Sequence, residues 1–154
     1  MKKLYVIIVT LMLTIAAMGQ LLSVRTGGVT HLFPAEKAGD MIFDNGNEVT
    51  IMGKTFVLSA IETMTVDQST VKDNAVSITY SGTTATVTIA GNVAQYVVPT
   101  IDGAHVSIEQ TNTADVDGDE ITYTLAGTTT NGSFALSGSD KCTLALDGRT
   151  TTNP

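Results

Sequence analysis

The chain has 154 residues, a net charge of −7 at pH 7, 43% hydrophobic residues, a single cysteine and no tryptophan. The acidic balance argues against nucleic acid and anionic membrane surfaces as partners, because both would repel the chain. One cysteine excludes a disulfide bond within the chain, and frequent Thr, Val, Ile and Gly favour strands and turns over a helical bundle.

Residues 1–19 have the three parts of a secretory signal peptide. Lys2 and Lys3 form a basic start, an uncharged apolar run follows over residues 4–18, and small residues precede Gln20. The alternative, a membrane-spanning helix, needs about 20 apolar residues, and this run is shorter. We therefore expect cleavage after Gly19, secretion, and no membrane span in the mature protein. Loss of the two lysines takes the net charge from −7 to −9.

Residues 20–110 are predicted to form a small antiparallel β region. Apolar and polar residues alternate over residues 76–80 and again over 85–89, on either side of Ser81-Gly82. This period of two is typical of half-buried strands joined as a hairpin, with the apolar set in the core and the threonines in water.

Five further strands are predicted downstream. Residues 93–98 and 104–108 are the first two, and residues 121–125, 133–136 and 142–146 are the others. Turn-forming Gly, Asn, Ser and Thr separate the last three at a spacing of about ten residues. Two architectures fit such a series, the edge of a β-sandwich or the first coils of a β-solenoid.

An acidic turn lies between the strands predicted over residues 104–108 and 121–125. Asp115, Asp117, Asp119 and Glu120 offer alternate carboxylates, and calcium prefers six to eight oxygen ligands. The EF-hand pattern is not met, because its glycine belongs at position 6 of the loop, where this chain has Glu120, and Gly118 is at position 4. The residues therefore predict a calcium loop, with a solvated acidic turn as the plainer alternative.

No catalytic motif stands out. His31 and His105 are isolated in strand-like stretches, so no zinc cluster is indicated. No nucleophile has a recognisable context such as G-x-S-x-G, and the sequence does not place two carboxylates across a cleft for glycoside hydrolysis. Cys142 alternates with Leu144 and Leu146, which predicts a small buried thiol. We expect no enzymatic activity.

The aromatic residues give weak support for a sugar-stacking platform. The four phenylalanines, Phe33, Phe43, Phe56 and Phe134, stand at alternating apolar positions and are predicted to lie in the core. Tyr80, Tyr96 and Tyr123 are open to two interpretations, exposed at a strand edge or buried with a hydrated hydroxyl.

Residues 119–138, DEITYTLAGTTTNGSFALSG, and Leu146-Asp147-Gly148 resemble the opening of a family of secreted bacterial carbohydrate-binding domains of the cellulose- and pectin-binding type. Residues 32–35 and 51–56 resemble the N-terminal region that accompanies this domain in Gram-negative gut bacteria. The resemblance implies a right-handed parallel β-helix, binding of plant cell-wall polysaccharides including acidic ones, and bound calcium. It assigns no ligand-binding residue within this chain.

The combined expectation is an all-β protein in three parts. Residues 1–19 are the signal peptide, residues 20–110 an N-terminal β-rich region, and residues 111–154 the beginning of a truncated β-helix, so the chain is expected to be the N-terminal part of a longer protein. The resemblance implies secretion to the bacterial surface or periplasm and non-catalytic polysaccharide binding by the full-length protein. A surface adhesin or structural solenoid module is the alternative, and a polysaccharide lyase or hydrolase is a third, since fold does not determine function.

Overall fold

The computed structural model describes residues 20–39 and 41–147, without the side chain of Asp67, and the predicted signal peptide lies outside these residues. The described chain is all-β, as predicted. Its helical elements are two short 3₁₀ turns, Leu58–Ala60 and Gly91–Val93. In chain order the strands are β1 (Leu21–Thr26), β2 (Val29–Pro34), β3 (Ile42–Asp44), β4 (Glu48–Ile51), β5 (Lys54–Val57), β6 (Thr63–Asp67), β7 (Ala75–Gly82), β8 (Thr84–Ala90), β9 (Val97–Asp102), β10 (His105–Gln110), β11 (Ile121–Thr129), β12 (Ser133–Gly138) and β13 (Cys142–Leu146).

The largest sheet has seven strands in the order β13-β11-β7-β8-β2-β1-β6. Its centre is the antiparallel hairpin β7–β8, in which Ile78 pairs with Val87. This confirms the hairpin predicted from alternation, because the apolar side chains are buried and the polar ones between them reach the surface. A slip of one residue would exchange the two faces, so burial of the apolar set determines the register.

Two three-stranded sheets pack beside it, with the strand orders β12-β10-β9 and β3-β4-β5. The β3–β4 hairpin turns at Asn45 and Gly46, which both have positive φ, as this dipeptide predicts. The β9–β10 hairpin turns at Gly103, also with positive φ.

The prediction of a strand over residues 93–98 is wrong for the first half of that range. Residues 91–93 form a 3₁₀ turn, a further turn follows, and β9 begins only at Val97. Gly91 packs so closely against β2 that a Cβ atom there would lie 2.5 Å from a ring carbon of Phe33. Val93 and Ala94 are fully buried, so core packing of this corner overrides the local strand preference.

The C-terminal strands pair in parallel. In the seven-stranded sheet β11 lies between β7 and β13 and is parallel to both, with Ile121 opposite Cys142. In the second sheet β10 and β12 are parallel, with His105 opposite Ser133. The two regions expected on either side of residue 110 therefore share one sheet and one hydrophobic core.

The core lies between the sheets. Its largest fully buried side chains are Tyr123, Phe33, Leu22, Ile51, Ile78, Ile89, Ile108 and Ile121. Three sequence expectations need correction at its margins. Phe43 on the edge strand β3 is 37% exposed, and Phe134 is only partly buried. Cys142 is half-buried rather than buried, and Leu144 and Leu146 are 52% and 56% exposed, because β13 is the last strand of its sheet and contacts the core only near its start.

Candidate functional site

Two buried asparagines hold the acidic turn against the body of the fold. Asn74 precedes β7 and donates through Nδ2 to the backbone oxygens of Val116 and Asp119, over 2.7 and 3.0 Å. Its backbone N–H donates to Oδ1 of Asn92 over 3.1 Å, and Asn92 donates back to Oδ1 of Asn74. Asn92 also donates to Oδ2 of Asp117 over 2.9 Å. Buried amides paired in this way fix the position of the turn.

The turn is tight because its two central residues have positive φ. Asp117 has φ of 54° and Gly118 has φ of 87°, the left-handed region that aspartate and glycine adopt most readily. Val116 and Asp119 pair across the turn as an antiparallel bridge, with hydrogen bonds of 2.9 and 3.1 Å between their backbones. The local sequence Asp117-Gly118 therefore positions the carboxylate of Asp117 for its contact with Asn92.

A cavity of about 500 Å³ lies beside this turn, and we call it the polar cleft. One wall follows the 3₁₀ turn at Gly91–Val93 and the loop after it, and the other follows residues 111–117. Most of the side chains that line it carry hydrogen-bonding groups, namely Asn92, Gln95, Tyr96, Thr111, Asn112, Thr113, Asp115 and Asp117. Its volume is within the range of small-molecule sites, about 300–1,000 Å³.

Asn112 is the most deeply buried polar residue that lines the cleft. It is 4% exposed, and its Nδ2 donates to the backbone oxygen of Ala114 over 2.9 Å and to Oδ2 of Asp140 over 2.8 Å. Its Oδ1 has no hydrogen-bond partner within the described part of the chain. The oxygen has almost no accessible surface, and a buried acceptor without a donor costs about 1–3 kcal/mol.

Gln95 and Tyr96 form the opposite wall. Gln95 is exposed, and its side-chain amide lies over Gly53, where a Cβ atom would be 2.5 Å from Oε1. Tyr96 is half-buried, and its backbone oxygen accepts from both the backbone N–H and the hydroxyl of Thr111, at 2.9 and 3.2 Å. These bonds join the two walls below the cleft.

The four acidic residues predicted to bind calcium are divided. Asp115 and Asp117 line the cleft, whereas Asp119 and Glu120 do not. Asp115 forms an ion pair with Lys141 over 3.3 Å, and Glu120 accepts a short hydrogen bond from the hydroxyl of Thr143. In residues 20–39 and 41–147, no three His, Cys, Asp or Glu residues come together in a group that could hold a metal ion. Calcium binding stays a prediction.

The tyrosines divide between core and cleft. Tyr123 is fully buried and donates to Oε1 of Gln110 over 2.9 Å, and Tyr80 is buried and donates to the backbone oxygen of Ser133 over 3.0 Å. Of the three tyrosines considered for sugar stacking, Tyr96 alone is not buried, and it lines the cleft.

The histidines and the cysteine lie apart from the polar cleft. His105 is exposed and its Nδ1 is 2.9 Å from Oγ of Ser133. His31 is packed between the aromatic rings of Phe33 and Phe56. Burial raises the pKa of Cys142, with the negative charges of Glu120 and Asp140 adding to the effect. The thiol is therefore protonated and a poor nucleophile at neutral pH.

Sequence reasoning missed most of the cleft. Asn92, Gln95 and Asn112 come from two loops separated along the chain, and the fold brings them together. One signal was available, because Asn92 and Asn112 each stand two residues after a strand of alternating pattern, β8 and β10. Polar amides at such positions frequently anchor loops.

In comparisons with known proteins, no protein-family model matches the chain, and no curated protein or solved structure matches it significantly. Across the described residues, none of the helical elements has the length and apolar character required to cross a bilayer.

Proposed function

We propose that the protein is a secreted, non-catalytic binder of extracellular polysaccharide and that the polar cleft is its binding surface. The composition of the cleft is the observation that supports this most. Asn92, Gln95 and Asn112 carry amide groups that both donate and accept hydrogen bonds, as sugar hydroxyls do. Tyr96 adds a half-buried aromatic residue to the lining, and an aromatic ring suits the apolar face of a pyranose.

The buried Oδ1 of Asn112 lies behind the surface of the cleft and has no donor in the described chain. A sugar hydroxyl would reach this oxygen only after a small displacement of the loop at residues 111–114, and it would then relieve a buried acceptor that lacks a donor.

The charge of the cleft separates two kinds of glycan. Asp115 and Asp117 would repel a polysaccharide that carries carboxylates, whereas a neutral chain can bind directly. An acidic chain would need a divalent cation between the charges. Asp115 and Asp117 are the residues that would hold calcium there, with water and sugar oxygens completing the six to eight ligands that it requires.

The proposed scaffold is the first coil of a parallel β-solenoid. From β10 to β13 the chain alternates between two sheets, and β12 and β13 each pair in parallel with the strand two elements earlier, β10 and β11. Parallel stacking of successive strands across alternate sheets is the repeating element of solenoids. Leu144 and Leu146 are exposed on the edge strand β13, which supports a second candidate function as a structural solenoid module.

Affinity electrophoresis of the full chain in gels containing neutral or acidic polysaccharides tests the proposal. We expect retardation by at least one polysaccharide, with no increase in reducing ends or unsaturated products. Gln95→Ala and Tyr96→Ala should weaken retardation, whereas Gln68→Ala, an exposed glutamine outside the cleft, should not. Retardation by acidic chains should require calcium and disappear with a chelator. No retardation by any polysaccharide, or equal retardation of the cleft variants, would contradict the proposal.

A further inference from the structure

A second cavity lies at the junction of the three sheets, and we call it the His31 cleft. Its volume is about 400 Å³, and it is bordered by the β1–β2 turn, by β5 and by the start of β9. Val29, Phe56 and Pro99 give it apolar walls, and Val57 and Val98 leave nearly half of their side chains exposed. Apolar surface open to water in a concave site favours occupation by an apolar group.

His31 is the buried polar group of this cleft. It is 3% exposed, with its ring centroid 6.3 Å from that of Phe33 in a stacked arrangement and 5.0 Å from that of Phe56 in an edge arrangement. Neither ring nitrogen has a hydrogen-bond partner of good geometry in the described chain, although a weak interaction with the Val24 backbone is present. Burial and the nearby charge of Lys54 lower the pKa of His31 to about 4, so the ring is neutral at pH 7.

Lys54 supplies a positive charge beside this ring. Its side chain is half-buried, and burial lowers its pKa. Arg25, Lys37 and Lys141 each form an ion pair, but within the described residues Lys54 forms none. Glu62, which is close to the β1–β2 turn, is already engaged by Arg25 and by the backbone N–H of Gly27. The cleft is therefore electropositive in an acidic protein.

We propose that the His31 cleft binds a small apolar carboxylate, with the carboxylate at Lys54 and the hydrocarbon against Val57, Val98 and Phe56, beside the His31 ring. One ammonium group matches a monoanion in charge and donates to it. A dianion such as phosphate would leave one charge uncompensated in an apolar site. The proposal is independent of polysaccharide binding, because the two clefts share no lining residue.

Titration of the full chain with hexanoate, followed by NMR of the histidine ring signals, tests this inference. Hexanol and hexylamine are the matched neutral and cationic probes. We expect saturable shifts of the His31 signals with hexanoate, and affinity lower by about tenfold or more for both other probes. The signals of His105, which lies outside the cleft, should not move.

Variants separate charge from packing. Lys54→Met keeps the length of the side chain and should weaken hexanoate binding by about tenfold or more. Lys72→Met removes an exposed lysine outside the cleft and should leave binding unchanged. For His31→Phe, which keeps the aromatic packing, backbone amide shifts replace the lost ring signals, and binding should be retained because Lys54 holds the carboxylate. Equal affinity for hexanoate and hexanol, or equal affinity in Lys54→Met and Lys72→Met, would overturn the inference.

Discussion

Tyr123 in β11 donates its hydroxyl to Oε1 of Gln110 in β10 over 2.9 Å, and this bond joins the seven-stranded sheet to the sheet β12-β10-β9. Both side chains are buried, and burial raises the pKa of Tyr123, so the hydroxyl stays protonated and remains a donor. The Nε2 of Gln110 has no partner in the described chain. The glutamine therefore depends on the tyrosine for its one side-chain hydrogen bond.

Tyr123→Phe should lower the free energy of unfolding by about 1–3 kcal/mol, because it leaves the Gln110 amide buried without a partner. Tyr96→Phe is the matched control and should change stability by less than about 0.5 kcal/mol. Adding Gln110→Leu to Tyr123→Phe should recover part of the loss, since both polar partners are then removed. Urea denaturation measures these three variants and Gln110→Leu alone, and a double variant as unstable as the sum of Tyr123→Phe and Gln110→Leu would contradict the interpretation.

Stability should fall on acidification because of His31. Its pKa is about 4 in the folded protein, against about 6.5 in an unfolded chain, so the unfolded state binds more protons between these values. The contribution of neutral His31 to the free energy of unfolding is therefore fully present above pH 6.5. It declines by up to about 3 kcal/mol as the pH falls to 4. His31→Phe keeps the aromatic packing and should remove this part of the pH dependence.

Denaturation of the wild type and His31→Phe across pH 4–7 measures that difference. The carboxylates titrate in both proteins, so the gap between the two curves reports the histidine. Parallel curves would show that the His31 ring ionises equally well in the folded and unfolded states.

Gly127 should tolerate no side chain. It lies in β11 with φ of 78°, and a Cβ atom there would be 2.0 Å from the backbone oxygen of Tyr80 in β7. Gly82 also has positive φ, 62°, but open space around it. Gly127→Ala should therefore cost about 3 kcal/mol or more, and Gly82→Ala only about 1–2 kcal/mol from backbone strain. Equal losses of stability for Gly127→Ala and Gly82→Ala in thermal denaturation would show that backbone strain determines both, without a contribution from the clash with Tyr80.

Asn74 should be needed for the acidic turn. Asn74→Ala removes the two hydrogen bonds to Val116 and Asp119 and leaves Asn92 without its buried partner. We expect a loss of about 2 kcal/mol or more and faster amide exchange at residues 116–119. Asn131→Ala, at an exposed turn, should stay within about 0.5 kcal/mol of the wild type. Unchanged exchange at the turn would contradict the anchoring role of Asn74.

Much of the fold follows from local pattern, and the rest from contacts between distant residues. Alternation over residues 76–89 predicts β7 and β8, because burial of one face leaves little choice of register. The same reasoning fails at residues 93–96, where packing of Gly91 on Phe33 turns the chain. Leu144 is exposed because β13 lies at the edge of its sheet, and the local sequence does not indicate which strand will be at the edge.

The candidate site was less accessible to sequence reasoning than the fold. Asp115 and Asp117 were identified from their spacing, and the structure places both in the polar cleft. Their neighbours Gln95 and Asn112 were not identified, because their proximity depends on the corner at residues 91–96 that the sequence pattern misassigns. Polar loop residues carry no periodicity, so only the assembled fold brings them together.

The central claim, that the polar cleft binds polysaccharide, is tested most directly by NMR titration with an oligosaccharide of the retarding polymer, with and without calcium. The account predicts saturable shifts concentrated at Gln95, Tyr96 and Asn112 and along the turn at residues 115–117. Shifts confined to β13 or to the His31 cleft, or no shifts at millimolar oligosaccharide, would contradict it.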